Sequence, residues 1–179
     1  MIKRNETLRN TVVAALMLAV AYILPNFTGN IPKIGAMLLP MHLPTILCGF
    51  LCGGFWGMAV GFLAPLMRSV ILGMPPMFPT AIAMAFEMAA YGLTAGVLYR
   101  RFPKTLSGIY AALIGAMVCG RVVWGAVMAL LLAGGDGFTL SAFVAGAFVN
   151  AIPGIVLQLA AIPALVSALE KARLSPKAV

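Results

Sequence analysis

Arg68, Glu87 and Arg121 are ionisable side chains set inside long apolar runs of this sequence. In a low-dielectric interior such groups can brace one another, relay a proton, or hold an anionic solute through the guanidinium fork. Two arginines against one carboxylate leave a positive charge over, and a buried, uncompensated charge costs on the order of several kcal/mol. A carboxylate or phosphate on a solute would complete it. Arg68, about one turn from a helix end, has water and backbone carbonyls as competing partners. Helical spacing puts Ala83, Glu87 and Tyr91 on one face and Arg121 with Trp124 on another. Asn150 shares a face with Gly146 and Gly154, and small residues above and below it leave room for something larger than a side chain. His42, in Leu39-Pro40-Met41-His42-Leu43-Pro44, stands where a loop enters a helix, at the mouth of such a cavity. The expected site is therefore His42, Arg68, Glu87, Tyr91, Arg121, Trp124 and Asn150.

Other chemistries lack their residues. No Gly-rich phosphate loop ending in Gly-Lys-Ser/Thr occurs, so the chain is not expected to hydrolyse ATP itself. With 1 His in the chain, neither a Ser/His/Asp set nor a His cluster stands out. Cys48, Cys52 and Cys119 all fall in apolar runs and read as packing residues rather than metal ligands. No catalytic residue, metal or cofactor is expected. The formal net charge of +8 raises the question of nucleic acid. The distribution of charge answers it: nine of the 12 Lys and Arg lie in three clusters beside apolar segments, Lys3/Arg4/Arg9, Arg100/Arg101/Lys104 and Lys171/Arg173/Lys177. That is the positive-inside pattern of a membrane protein.

The elements that must hold these groups follow from composition. Of 179 residues, 63% are hydrophobic and 9% charged, with mean hydropathy +1.06. Soluble domains carry roughly a quarter charged residues, so a water-facing surface cannot be built here. A bilayer removes the need for one, at about 20 apolar residues per helix. The expectation is an all-α membrane protein, one integral domain over 1–179, with spans near 7–24, 42–53, 55–72, 78–99, 107–132 and 140–169. The first run resembles a signal peptide, but the apolar chain that follows favours a retained helix. The stretch 42–72 is too long for one span and divides at Cys52-Gly53-Gly54. Gly73-Met74-Pro75-Pro76-Met77-Phe78-Pro79 must end a helix, and reads as a lid or as an ordinary connection. Six spans put all three cation clusters on the cytoplasmic side with both termini, leaving Lys33 and Asp136 in outer loops.

Gly49, Gly53, Gly57 and Gly61 recur at four-residue spacing, as do Gly92 and Gly96, which lets helix backbones approach closely in lipid. Six short Gly/Ala-rich helices in this length resemble the substrate-binding S component of an energy-coupling-factor (ECF) vitamin transporter. The likeness covers nearly the whole chain. It is carried by Leu39-Pro40-Met41-His42-Leu43-Pro44, by Gly73-Met74-Pro75-Pro76-Met77-Phe78-Pro79-Thr80 and by Gly146-Ala147-Phe148-Val149-Asn150-Ala151-Ile152-Pro153-Gly154.

The resemblance implies a vitamin bound near the outer face of a bacterial plasma membrane. It also implies docking on a transmembrane coupling protein driven by two ATPase subunits, and release by toppling of the loaded subunit. Docking in that family uses small residues of the first helix in an Ala-x-x-x-Ala pattern, which Ala15 and Ala19 match. The pocket charges suggest a carboxylate-bearing vitamin, pantothenate first, with niacin, folate, pyridoxine, riboflavin and a hydroxymethylpyrimidine as alternatives. A small channel or a structural subunit of a membrane complex is the competing reading from another class.

Overall fold

Apolar periodicity without strand-like alternation should give helices alone, and every element of the chain is helical among the described residues. A computed structural model describes residues 2–28, 37–133 and 139–171. Lys33, Asp136, Arg173 and Lys177, used above to orient the chain, lie outside them, as do the side chains of Lys3 and Arg4.

Helix α1 (Ile2–Ile23) runs into a 3-10 turn, Leu24–Thr28. Helix α2 (His42–Cys52) and α3 (Gly54–Leu72) are separated by Gly53, whose φ of 95° suits a residue without Cβ. Gly73, at φ 68°, closes α3 in the left-handed conformation. After the proline-rich turn, α4 covers Ile82–Arg101 and α5 Leu106–Leu131, the latter capped by the Thr105 hydroxyl accepting from the Gly108 N–H. The last apolar segment is interrupted. A short α6 (Leu140–Val144) and a wide turn, Ala145–Val149, precede α7 (Ile152–Lys171). Pro153 has no N–H to give the Val149 carbonyl, so the helical ladder cannot run unbroken through this point.

Among the described residues, five helical stretches are long and apolar enough to cross a membrane: Glu6–Phe27, Gly54–Leu72, Met77–Arg101, Leu106–Leu131 and Leu140–Lys171. His42–Cys52 is a shorter apolar helix. At about 1.5 Å per residue it does not cross a hydrocarbon core of about 30 Å alone. Side chains are arranged as hydrocarbon requires. Large apolar groups such as Val70 (73% exposed) and Leu130 (77%) point outward, while Glu87 (2%) and Arg121 (6%) are interior.

The glycine repeats explain how α2, α3 and α4 meet. A Cβ on Gly92 would overlap the Gly57 backbone, one on Gly96 would overlap Gly54, and one on Gly49 would overlap the Gly92 carbonyl. Hydrogen is the only side chain this seam admits. Along α1, Val13 and Ala14 pack with Cys52 and Leu169, whereas Ala21 packs with Met41, Ala64 and Met88. The N-terminal half of α1 is therefore level with the C-terminal ends of α2 and α7. At that end the Tyr99 hydroxyl donates to the Glu170 carboxylate. Lys104 donates to the Tyr99 carbonyl at 2.9 Å and stands 3.2 Å above the centre of its ring. Desolvation there holds the Lys104 amine below its ordinary value, although Glu170 pulls the other way.

Candidate functional site

Glu87 is carried on the buried face of α4, one turn from Ala83 and Tyr91, which are also buried. Arg121 lies on the buried stripe of α5 beside Gly120, where a Cβ would overlap the Tyr91 ring. The absence of a side chain at Gly120 is what lets the Tyr91 ring approach α5 this closely. From there Arg121 Nη1 donates to Glu87 Oε1 at 2.9 Å. His42, the first residue of α2, brings its Nε2 to 3.6 Å from the same carboxylate oxygen. Its ring meets Tyr91 edge-on at 5.2 Å between centroids. His42, Tyr91 and Arg121, from α2, α4 and α5, thus gather about the Glu87 carboxylate, and all four side chains are buried.

This group is under-satisfied. Among the described residues, His42 Nδ1 and Nε2, the Tyr91 hydroxyl and Arg121 Nη2 are buried without a hydrogen-bond partner. Buried polar atoms are ordinarily paired, and an orphan costs about 1–3 kcal/mol. Glu87 uses half of the Arg121 fork and leaves the other half open. The unfilled atoms include donors at Arg121 and Tyr91, and both a donor and an acceptor at a neutral imidazole. Such a set has the donors and acceptors to pair with a polar solute rich in oxygen. Among the described residues no three His, Cys, Asp or Glu side chains come together to hold a metal ion.

Three other expected members lie elsewhere. Arg68 Nη1 donates to the Tyr22 carbonyl at 2.6 Å and Nη2 to Asn26 Oδ1 at 3.1 Å. It belongs to the junction of α3 with the end of α1, and the backbone-carbonyl alternative is the one realised. Arg68 is therefore held outside the Glu87 group. Trp124, about one turn along α5 from Arg121, stacks on Phe143 at 6.1 Å between centroids, and Phe143 meets Phe148 edge-on at 6.0 Å. Asn150 is exposed at the interruption before α7. The room expected around it is filled, because a Cβ on Gly146 would lie 2.8 Å from the Trp124 ring and one on Gly154 2.7 Å from the Met37 carbonyl. Both glycines serve close packing.

One buried polar residue was missed. Gln158, in the middle of α7, is 1% exposed, and both its amide nitrogen and its amide oxygen lack a partner among the described residues. The signal was present as a lone amide in the apolar run Val156-Leu157-Gln158-Leu159-Ala160.

An all-helical bundle with an apolar exterior and a sealed polar centre defines a multi-pass membrane protein. The sequence matches the profile of the family described as the ECF transporter, substrate-specific component, over residues 9–166 of 179. The chain belongs to that family, whose members are transporter subunits taking a vitamin or other small molecule and working with an ECF module. No curated protein and no solved structure matches it.

Proposed function

We propose that this chain captures a small water-soluble vitamin carrying a carboxylate, pantothenate first among them, in the chamber around His42, Glu87, Tyr91 and Arg121. The observation that carries the reading is the half-used guanidinium: Arg121 Nη1 is held by Glu87, and Nη2 is buried without a partner among the described residues. A solute carboxylate accepts from Nη2 and from the Tyr91 hydroxyl, while Glu87 keeps the arginine charge balanced when the chamber is empty. Unfilled donors, rather than a surplus cation, are what recommend an acceptor-rich ligand here.

In this reading α2, together with the residues that lead into it, completes a sixth span beside the five long ones, so that both termini lie in the cytoplasm of a bacterial cell, and the chamber loads from the outer side. The exposed stripe of α1 that contains Ala15 and Ala19 docks on the coupling protein. Two ATPase subunits drive release inward. The subunit needs no cofactor and performs no catalysis.

Mass spectrometry of solute co-purified with the detergent-solubilised protein, followed by calorimetric titration with pantothenate, tests the proposal. Saturable binding without ATP supports it. A protein that carries no solute, binds no vitamin and conducts ions by itself would be a channel instead.

A further inference from the structure

One contact and one shared core place Gln158 relative to the proposed chamber. On α7, Gly154 lies against the Met37 and Leu38 backbone, with a Cβ on it 2.9 Å from the Leu38 carbonyl carbon. Two turns further along α7, Ile162 shares a buried core with Ile46 and Tyr91. His42 stands four residues after Leu38 and four before Ile46, and Gln158 stands midway between Gly154 and Ile162. Since α2 and α7 pack side by side, this register sets Gln158 level with His42, one turn above the buried core that contains Ile46 and Ile162.

We infer that Gln158 is a specificity-determining wall of that chamber, selecting a solute that offers an amide or hydroxyl group beside its acceptors; the inference rests on the binding role proposed above. Its physical basis is the two-sided amide. Nε2 needs an acceptor and Oε1 needs a donor. A bare carboxylate satisfies Nε2 but turns lone pairs towards Oε1, leaving a buried acceptor facing acceptors. An N–H or O–H on the solute satisfies Oε1, while an acceptor beside it satisfies Nε2. A site built around a hydrogen-bonding side chain rejects an analogue that cannot pair with it far more strongly than an apolar pocket rejects a small change in size.

The test incubates the purified protein with an equimolar mixture of pantothenate, nicotinamide, pyridoxine, riboflavin, folate and nicotinate, and identifies the retained solute by mass spectrometry. Wild type, Gln158→Met, Gln158→Glu and Arg121→Met are compared, with thermal unfolding of each. Wild type is expected to retain a solute bearing an amide or hydroxyl. Gln158→Met, similar in volume, is expected to retain at least tenfold less of it while unfolding at the same or a higher temperature, because an orphan amide has been removed. Undiminished retention by Gln158→Met, or selection of nicotinate by the wild type, overturns the inference and leaves the binding role standing. If Gln158→Met does not fold, Gln158→Glu decides: unchanged retention overturns the inference, and lost or switched retention supports it. Should wild type and Arg121→Met alike retain nothing, the binding role falls and takes the inference with it.

Discussion

Arg121 of α5 donates to Glu87 of α4 across 2.9 Å, joining two helices at positions 34 residues apart. Both side chains are interior, so each relies on the other for its charge. Arg121→Met leaves a bare carboxylate and should cost about 3–5 kcal/mol, whereas Glu87→Gln combined with Arg121→Met should recover most of it. Thermal unfolding in detergent reads the stability. Titration reads the site, where both proteins should lose vitamin binding at least a hundredfold. A double variant that recovers stability and also binds normally would leave the pair a brace and nothing more.

Arg68 is a different kind of arginine. Its bonds to the Tyr22 carbonyl and Asn26 tie α3 to the end of α1. Arg68→Met should lower stability by about 1–3 kcal/mol and leave the vitamin dissociation constant within about threefold, a change worth under about 1 kcal/mol. A loss of affinity as large as that of Arg121→Met would return Arg68 to the chamber.

The stripe of α1 formed by Leu8, Val12, Ala15, Ala19 and Ile23 is exposed along the length of the helix, whereas Ala14 and Ala21 face the bundle. Ala15→Trp or Ala19→Trp should therefore fold and bind as the wild type does. Uptake in cells, which in the proposed reading needs the coupling protein against this face, should stop. Normal uptake by either variant would move the docking surface elsewhere.

Glycines in the seam and glycines outside it should respond differently to the same methyl group. Gly92→Ala drives a Cβ into the Gly57 backbone, which cannot retreat, and should cost about 1–3 kcal/mol or more. Gly115→Ala meets the Leu98 Cδ1 at 2.6 Å, the end of a flexible side chain that can turn away. It should fold at close to wild-type yield. Unfolding temperatures of the two proteins in the same detergent make the comparison.

Hydrophobic runs and their breakers made most of the helices legible, because Gly53, Gly73 and Pro103 interrupt a helix wherever the chain goes afterwards. The Glu87–Arg121 pair was legible as one of two possible pairings, since opposite charges in an apolar interior must find each other. The destination of Arg68 was not, because a backbone carbonyl such as that of Tyr22 has no signature in the sequence. Gly146 and Gly154 were misread for a related reason. A missing side chain marks an available space, and only the fold tells whether a Trp124 ring or the Met37 carbonyl takes it. Gln158 escaped notice because a lone amide stands out little in an apolar run, yet it is buried without a partner among the described residues and must find hydrogen bonds there.

The interruption at Asn150 and Ala151 bears on how quickly the chamber exchanges its contents. A continuous helix must melt before one half can swing away from the other, at the cost of several backbone hydrogen bonds. Ahead of Pro153 that ladder is already incomplete, so the piece bearing Phe143 and Phe148 is held to α5 by side-chain packing, the Trp124–Phe143 ring contact included. If the chamber proposed above fills from this side, loosening that packing, rather than melting a membrane helix, sets how long a captured solute stays.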